Sequence, residues 1–167
     1  MNKEKFTLIG AGLTGPLLAT YLAQQGYSVE IFERRPDMRK ESISAGRSIN
    51  LALSARGNHA LKEVGLYDKI KPHTIPMKGR MIHDLNGTTH LQPYGQKENE
   101  VIFSVSRAQL NMELMTMAEG TGNVIIRFNH QLLSADLEQN KLIFQLSDSL
   151  EEIELSFNRV IGCDGSA

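Results

Sequence analysis

The chain has 167 residues, 41% of them hydrophobic and 22% charged, the composition of an ordinary globular domain with room for one sizeable core. A formal net charge of -1 argues against a nucleic-acid partner, the polar start argues against a signal peptide, and no apolar run reaches the length of a membrane span, so the chain reads as cytoplasmic. Its single cysteine, Cys163, excludes an intramolecular disulfide, and five scattered histidines (His59, His73, His83, His90 and His130) exclude the usual metal-ligand spacings.

The first apolar run, Phe6 to Ile9, predicts a strand that leads directly into Gly10-Ala11-Gly12-Leu13-Thr14-Gly15. Pro16 to Gln25 then predicts a helix, and Val29 to Phe32 a second strand ending at Glu33. Glycines and acid stand about 20 residues apart, the spacing of a dinucleotide-binding βαβ unit. Gly10 supplies a tight turn, Gly12 lets backbone approach a pyrophosphate, and Gly15 lets the helix pack close to the strand. The phosphates meet the unpaired N–H groups at the helix N-terminus. A carboxylate at Glu33 accepts hydrogen bonds from both hydroxyls of an adenosine ribose and repels a 2′-phosphate, which favours FAD or NAD over NADP as the bound nucleotide.

Arg34 to Arg47 is polar and arginine-rich. The apolar segment Ile49 to Leu53 ends in Ser54, the expected N-cap of a helix through Val64 that Gly65 closes. Tyr67 to Ile70 predicts one more turn, after which Pro72 and Pro76 break the chain. Lys78 to Asp84 and Thr88 to Pro93 flank Asn86-Gly87, a strong hairpin signal. Val101 to Val105 predicts a strand, followed by a helix over Arg107 to Glu119 with Leu110, Leu114, Met117 and Ala118 on one face. Its methionines, Met112, Met115 and Met117, read as packing.

Short strands follow at Val124 to Phe128, Leu132 to Leu137, Leu142 to Leu146, Ile153 to Phe157 and Arg159 to Ile161, three of them in the manner of a β-meander. The fold class is therefore α/β: a Rossmann-like domain with a parallel sheet, an inserted antiparallel hairpin and a β-meander. The last strand runs into Gly162-Cys163-Asp164-Gly165, a small-residue turn with a carboxylate where open α/β sheets bind ligands. Because the chain stops at Ala167, inside that region, it is expected to be the N-terminal part of a longer polypeptide.

With the glycine motif, Glu33 and the Gly-Cys-Asp-Gly turn in place, the chain resembles the single-component flavin-dependent aromatic hydroxylases, and within them the branch acting on L-kynurenine. Five segments carry the likeness in order and spacing: Gly46-Arg-Ser-Ile-Asn-Leu-Ala-Leu-Ser54, Pro76-Met-Lys-Gly-Arg-Met-Ile-His83, Pro93-Tyr-Gly95, Ser104-Val-Ser-Arg107 and Phe128-Asn-His-Gln-Leu132. The resemblance implies one FAD-binding domain over residues 1–167, with residues 78–106 contributing a hairpin and strand toward a substrate domain. It implies an oxidoreductase with FAD as cofactor, NADPH as co-substrate and dioxygen as the source of a hydroxyl placed at ring position 3 of L-kynurenine.

The same resemblance places Gly10, Gly12, Leu13, Thr14 and Gly15 at the pyrophosphate, and Glu33 with Arg34 and Arg35 at the adenosine. Ala52 and Leu132 line the cofactor by backbone or packing, Arg107 reaches it from a helix start, and Asp164 sits near pyrophosphate or ribose. Arg80 and Tyr94 fall on opposite arms of the hairpin as a substrate pair, the guanidinium fork suiting an amino-acid carboxylate. The cofactor supplies the hard chemistry, so no catalytic acid, base or nucleophile is expected in the chain, and none is visible. The segments that complete the flavin site and roof the substrate pocket in this family lie outside the chain. By itself it is expected to bind FAD weakly or not at all, to be inactive, and to self-associate through an exposed apolar edge.

The residues alone leave other readings open. A glycine motif with an acid after the second strand also fits a nicotinamide dehydrogenase or a nucleotide-sensing module. Arg80 also reads as a surface arginine, Tyr94 as a ring packed on the hairpin, Asp164 as a turn residue and Cys163 as a small buried hydrophobe. The long meander and the Gly-Cys-Asp-Gly turn weigh against a dehydrogenase, and another aromatic acid is the alternative substrate.

Overall fold

In the computed structural model, residues 4–40, 50–97 and 100–165 are described. In chain order the elements are β1 (Lys5–Ile9), α1 (Thr14–Gln24), β2 (Ser28–Phe32), β3 (Asn50–Leu53), α2 (Ala55–Glu63), α3 (Tyr67–Ile70), a 3-10 turn (Lys71–His73) and β4 (Ile75–Met77). There follow β5 (Gly79–His83), β6 (Thr89–Pro93), β7 (Ile102–Ser106), α4 (Arg107–Gly120), β8 (Val124–Arg127), β9 (His130–Asp136), β10 (Lys141–Leu146), β11 (Glu152–Ser156) and β12 (Arg159–Gly162). They form two compact units, residues 1–45 with 111–167, and residues 46–110.

The first unit is built on a parallel sheet of order β12-β1-β2-β8. Its inner strands are buried on both faces, which is why they read as continuous apolar runs. On one face Leu8, Val29, Ile31, Val124 and Ile126 pack against Ala19 and Ala23 of α1 and Met115 and Ala118 of α4. On the other, Ile9 and Phe32 pack against Leu142 and Phe144 of the antiparallel meander β9-β10-β11. The Phe32 and Phe144 rings stack at 4.4 Å, and His130 sits edge-on to Phe32 at 5.5 Å, a packing role for that histidine. Glu30 on β2 accepts hydrogen bonds from Lys5 of β1 and Arg127 of β8, which tie three strands together.

The expected helix face shifts by part of a turn: Leu114 and Ala118 are buried as predicted, but Met115 rather than Met117 joins them at full burial. The segment after β2 is fastened to α4 by Arg39. Its guanidinium makes paired 2.8 Å bonds to Asp37, a 2.6 Å bond to Glu119, and lies 5.6 Å from the Phe128 ring centre. The Arg39 hydrogen bonds hold the Asp37 carboxyl below the usual carboxylate range.

In the second unit β3, β7 and β4 form an antiparallel sheet of order β3-β7-β4, a pairing separate from the parallel sheet and absent from the sequence-based expectation. Residues 46–49 of the Gly46–Ser54 segment lie outside the described residues. Ser54 does occupy the N-cap of α2 with extended backbone, yet its side chain makes no capping bond. The other end closes as expected: Leu66 N–H donates to Leu61 O at 2.8 Å and Gly65 N–H to Lys62 O at 3.0 Å, with Gly65 at φ +78°, a Schellman motif. Pro76 does not break the chain but lies in β4, where an edge strand tolerates the missing donor.

The hairpin β5-β6 forms at Asn86-Gly87 through a three-residue loop, with Gly87 N–H donating to Asp84 O and Asp84 N–H to Thr88 O. Met81, Leu85 and Leu91 on this hairpin are exposed. Among the described residues no helix is long and apolar enough to cross a membrane.

Candidate functional site

Parallel pairing places the C-terminal ends of β12, β1 and β2 side by side, and β1 is the strand at which the sheet stops growing in one direction and grows in the other. Ligands of open α/β sheets bind at such a point. The chain leaves β1 held on both sides: Gly10 N–H donates to Phe32 O at 2.7 Å, and Cys163 N–H donates to Ile9 O at 2.7 Å.

Gly10 has φ +99°, and a β-carbon there would come within 2.8 Å of the Asp164 α-carbon. Gly15 is buried on the first turn of α1, and a β-carbon there would collide with the Gly10 carbonyl oxygen. Gly12 differs from both, since among the described residues nothing lies within 4 Å of where its β-carbon would be. A tight turn, a closely packed helix and an open face thus fall on Gly10, Gly15 and Gly12 in turn.

Leu13, at the N-cap of α1, has helical backbone and no side-chain cap, and the first turn carries no acid. The first-turn N–H groups beside exposed Thr14 therefore keep their capacity for an anion.

Glu33, buried at the end of β2, faces this loop. Its Oε2 accepts from Ala11 N–H at 2.7 Å, and its Oε1 accepts from Arg35 N–H at 3.0 Å and Arg35 Nε at 2.8 Å. Burial pushes its pKa up, but the bonds from Arg35 and Ala11 outweigh burial and hold the carboxyl below its ordinary range. Glu33 is a buried anion that already fixes the glycine loop, and ribose hydroxyls would share its oxygens with the exposed Arg35 guanidinium. Arg34 is exposed, and its carbonyl accepts from Ser147 Oγ of the meander.

Asp164 is exposed beside Gly10, and Leu132 packs against the Phe32 and Phe144 cluster. Cys163 is half-buried rather than fully buried; burial first, and Asp164 second, push its thiol pKa up.

The second unit holds the other expected residues. Arg80 pairs across the hairpin with Gln92 and donates to its Oε1 at 2.7 Å. Tyr94 N–H bonds to Lys78 O, so Arg80 and Tyr94 are diagonal neighbours on one face of the ladder, both open to solvent. Ala52 is exposed on β3 opposite Ser104, and Arg107 is exposed as the first residue of α4.

Asn111 was not foreseen. It is buried on α4 and donates from Nδ2 to Ala11 O at 3.1 Å, while its Oδ1 has no partner among the described residues. Beside it lies a cleft of about 110 Å³ lined by Ala11, Glu33, Arg35, Asn111, Met115 and Phe128, among others. The signal in the sequence was an amide inside the apolar stripe of Leu110, Leu114 and Ala118.

Comparison with known proteins agrees with this geometry. The chain is 48% identical over 167 residues to a kynurenine 3-monooxygenase of Myxococcus xanthus, covering 99% of this chain and 36% of that protein. It is 43% identical over 159 residues to one of Anopheles gambiae, covering 95% and 33%, and 40% identical over 166 residues to one of Sus scrofa, covering 99% and 35%. The chain thus spans about a third of the length of the curated relatives it matches.

Among solved structures, p-nitrophenol 4-monooxygenase PnpA from Pseudomonas putida superposes with a TM-score of 0.79 at 18% identity, covering 98% of this chain and 41% of that one. The flavin-dependent monooxygenase PieE, in complex with FAD and substrate, superposes at 0.80 with 15% identity, covering 98% and 30%. These two likenesses establish the fold. The family described as FAD binding domain matches residues 5–167, and the chain belongs to that family.

Proposed function

We propose that the intact gene product is a flavin-dependent monooxygenase that hydroxylates L-kynurenine at ring position 3 with NADPH and dioxygen, and that this chain supplies its dinucleotide site. The observation that carries the reading is the convergence of the Gly10–Gly15 loop, the uncapped start of α1 and buried Glu33 at the ends of three parallel strands. Relatives named kynurenine 3-monooxygenase at 40–48% identity support the substrate.

The residues present fit FAD. The open face at Gly12 admits a pyrophosphate, with Gly10, Leu13, Thr14 and Gly15 around it, and Glu33 with Arg34 and Arg35 takes the adenosine. Ala52, Arg107, Leu132 and Asp164 are assigned to the rest of the cofactor. Bound FAD supplies the redox and oxygen-transfer chemistry.

What the chain adds is binding and orientation. The Arg80 fork takes the substrate carboxylate by releasing Gln92, and the Tyr94 hydroxyl donates beside it. The chain by itself turns over no substrate in this reading, because enclosure of the ring and exclusion of water need more surface than it has.

Substituting Arg80→Ala in the intact gene product tests the assignment. KM for L-kynurenine is expected to rise roughly 100-fold, the equivalent of losing two charge-assisted hydrogen bonds, with FAD content unchanged. An unchanged KM would remove Arg80 from the substrate site and favour a different aromatic acid.

A further inference from the structure

We propose that Asn111 is a positioning residue for the nucleotide: it fixes the Ala11–Gly12 peptide so that the Gly12 N–H faces the pyrophosphate. The inference rests on the FAD reading above and adds a residue that reading does not use.

The Ala11 peptide groups are held from two directions. Ala11 N–H donates to Glu33 Oε2 at 2.7 Å, and Ala11 C=O accepts from Asn111 Nδ2 at 3.1 Å, a bond spanning 100 positions of sequence. All described peptide bonds are trans, so the Gly12 N–H points opposite to the Ala11 carbonyl. By drawing that carbonyl toward α4, Asn111 turns the Gly12 N–H away from α4. The Gly12 β-position is also the place in the glycine motif where no atom crowds the backbone, among the described residues. A flipped peptide would instead offer a carbonyl oxygen to a phosphate, and glycine at position 12 does little to resist the flip.

Asn111 is not there for packing. It is 8% exposed, within a helix face that otherwise buries Leu110, Leu114, Met115 and Ala118. Among the described residues its Oδ1 is buried without a partner, a burden that a leucine of similar shape would remove. An amide kept half-satisfied in an apolar stripe has a purpose in the half that is bonded: Nδ2 donates to the Ala11 carbonyl at 3.1 Å and more weakly to Met38 Sδ at 3.5 Å, and of these the carbonyl belongs to the glycine loop.

The test uses the intact gene product as apoprotein, titrated with FAD, ADP and adenosine. In Asn111→Leu the affinity for FAD and for ADP is expected to fall about 10- to 50-fold by a common factor, while adenosine binding and the urea midpoint of the apoprotein stay at wild-type values or the midpoint rises. Asn111→Asp, which sets an acceptor against the Ala11 carbonyl, is expected to lose at least as much, and it serves as the test should the leucine variant not fold. A lowered midpoint with unchanged FAD affinity would make Asn111 structural and overturn the inference. Unchanged FAD affinity in both variants, with wild type binding FAD, would overturn it alone; wild type that takes up no FAD would overturn the flavin reading and this inference with it.

Discussion

Gly15→Ala is expected to destabilise the intact gene product by about 3 kcal/mol or more and to abolish FAD retention. On helix propensity alone alanine would be favoured by about 1 kcal/mol. The contact decides otherwise, because the added methyl would meet the Gly10 carbonyl oxygen, a backbone atom on a loop already pinned by Phe32 O and by the Cys163–Ile9 bond. Neither side can yield by rotating a side chain. α1 would have to withdraw from β1, opening the packing of Ala19 and Ala23 against Leu8 and Ile31 and moving the first-turn N–H groups off the phosphate position. Urea unfolding with flavin absorbance measures both effects, and a variant with wild-type midpoint and flavin content would contradict the close-packing argument.

Glu33→Gln is expected to lower FAD affinity by about 100-fold and stability at neutral pH by about 2 kcal/mol, a figure discounted because its Arg35 partner is largely exposed. The carboxylate accepts three N–H bonds, and an amide in its place must turn one donor toward Ala11 or Arg35. The pH dependence has a defined sign. The Glu33 pKa lies below its ordinary value of 4.5 in the folded chain, so its contribution is complete above that value and is lost as pH falls through the lower folded one. Wild-type stability should therefore fall on the acid side of about pH 5, and the variant should show a flatter acid limb. Superimposable acid limbs would show that Glu33 is not the buried anion described here.

The parts of this fold that were legible in the sequence are those where local chemistry leaves one solution. Phe6 to Ile9 and Val29 to Phe32 read as strands because both faces are buried, and the tight turn at Gly10 and the close helix at Gly15 are legible because backbone atoms lie against both glycines. Asn86-Gly87 specified its hairpin within a few residues.

What escaped depends on contacts distant in sequence. The pairing of β3 with β7 joins Asn50 to Ser106, and nothing in either run of residues names the partner. Pro76 reads as a breaker in the sequence because its tolerance depends on β4 being an edge strand. The choice between Met115 and Met117 turns on the rotation of α4 against the sheet, and the Asn111–Ala11 and Arg39–Glu119 contacts exist only once α4 is docked.

The measurement that bears most directly on the account is flavin content together with L-kynurenine-stimulated NADPH oxidation of the intact gene product. Stoichiometric FAD and oxidation that rises on addition of L-kynurenine, with 3-hydroxykynurenine formed, are the expected results. Bound FAD with no response to L-kynurenine would contradict the substrate, and a preparation that takes up no flavin would contradict the site itself.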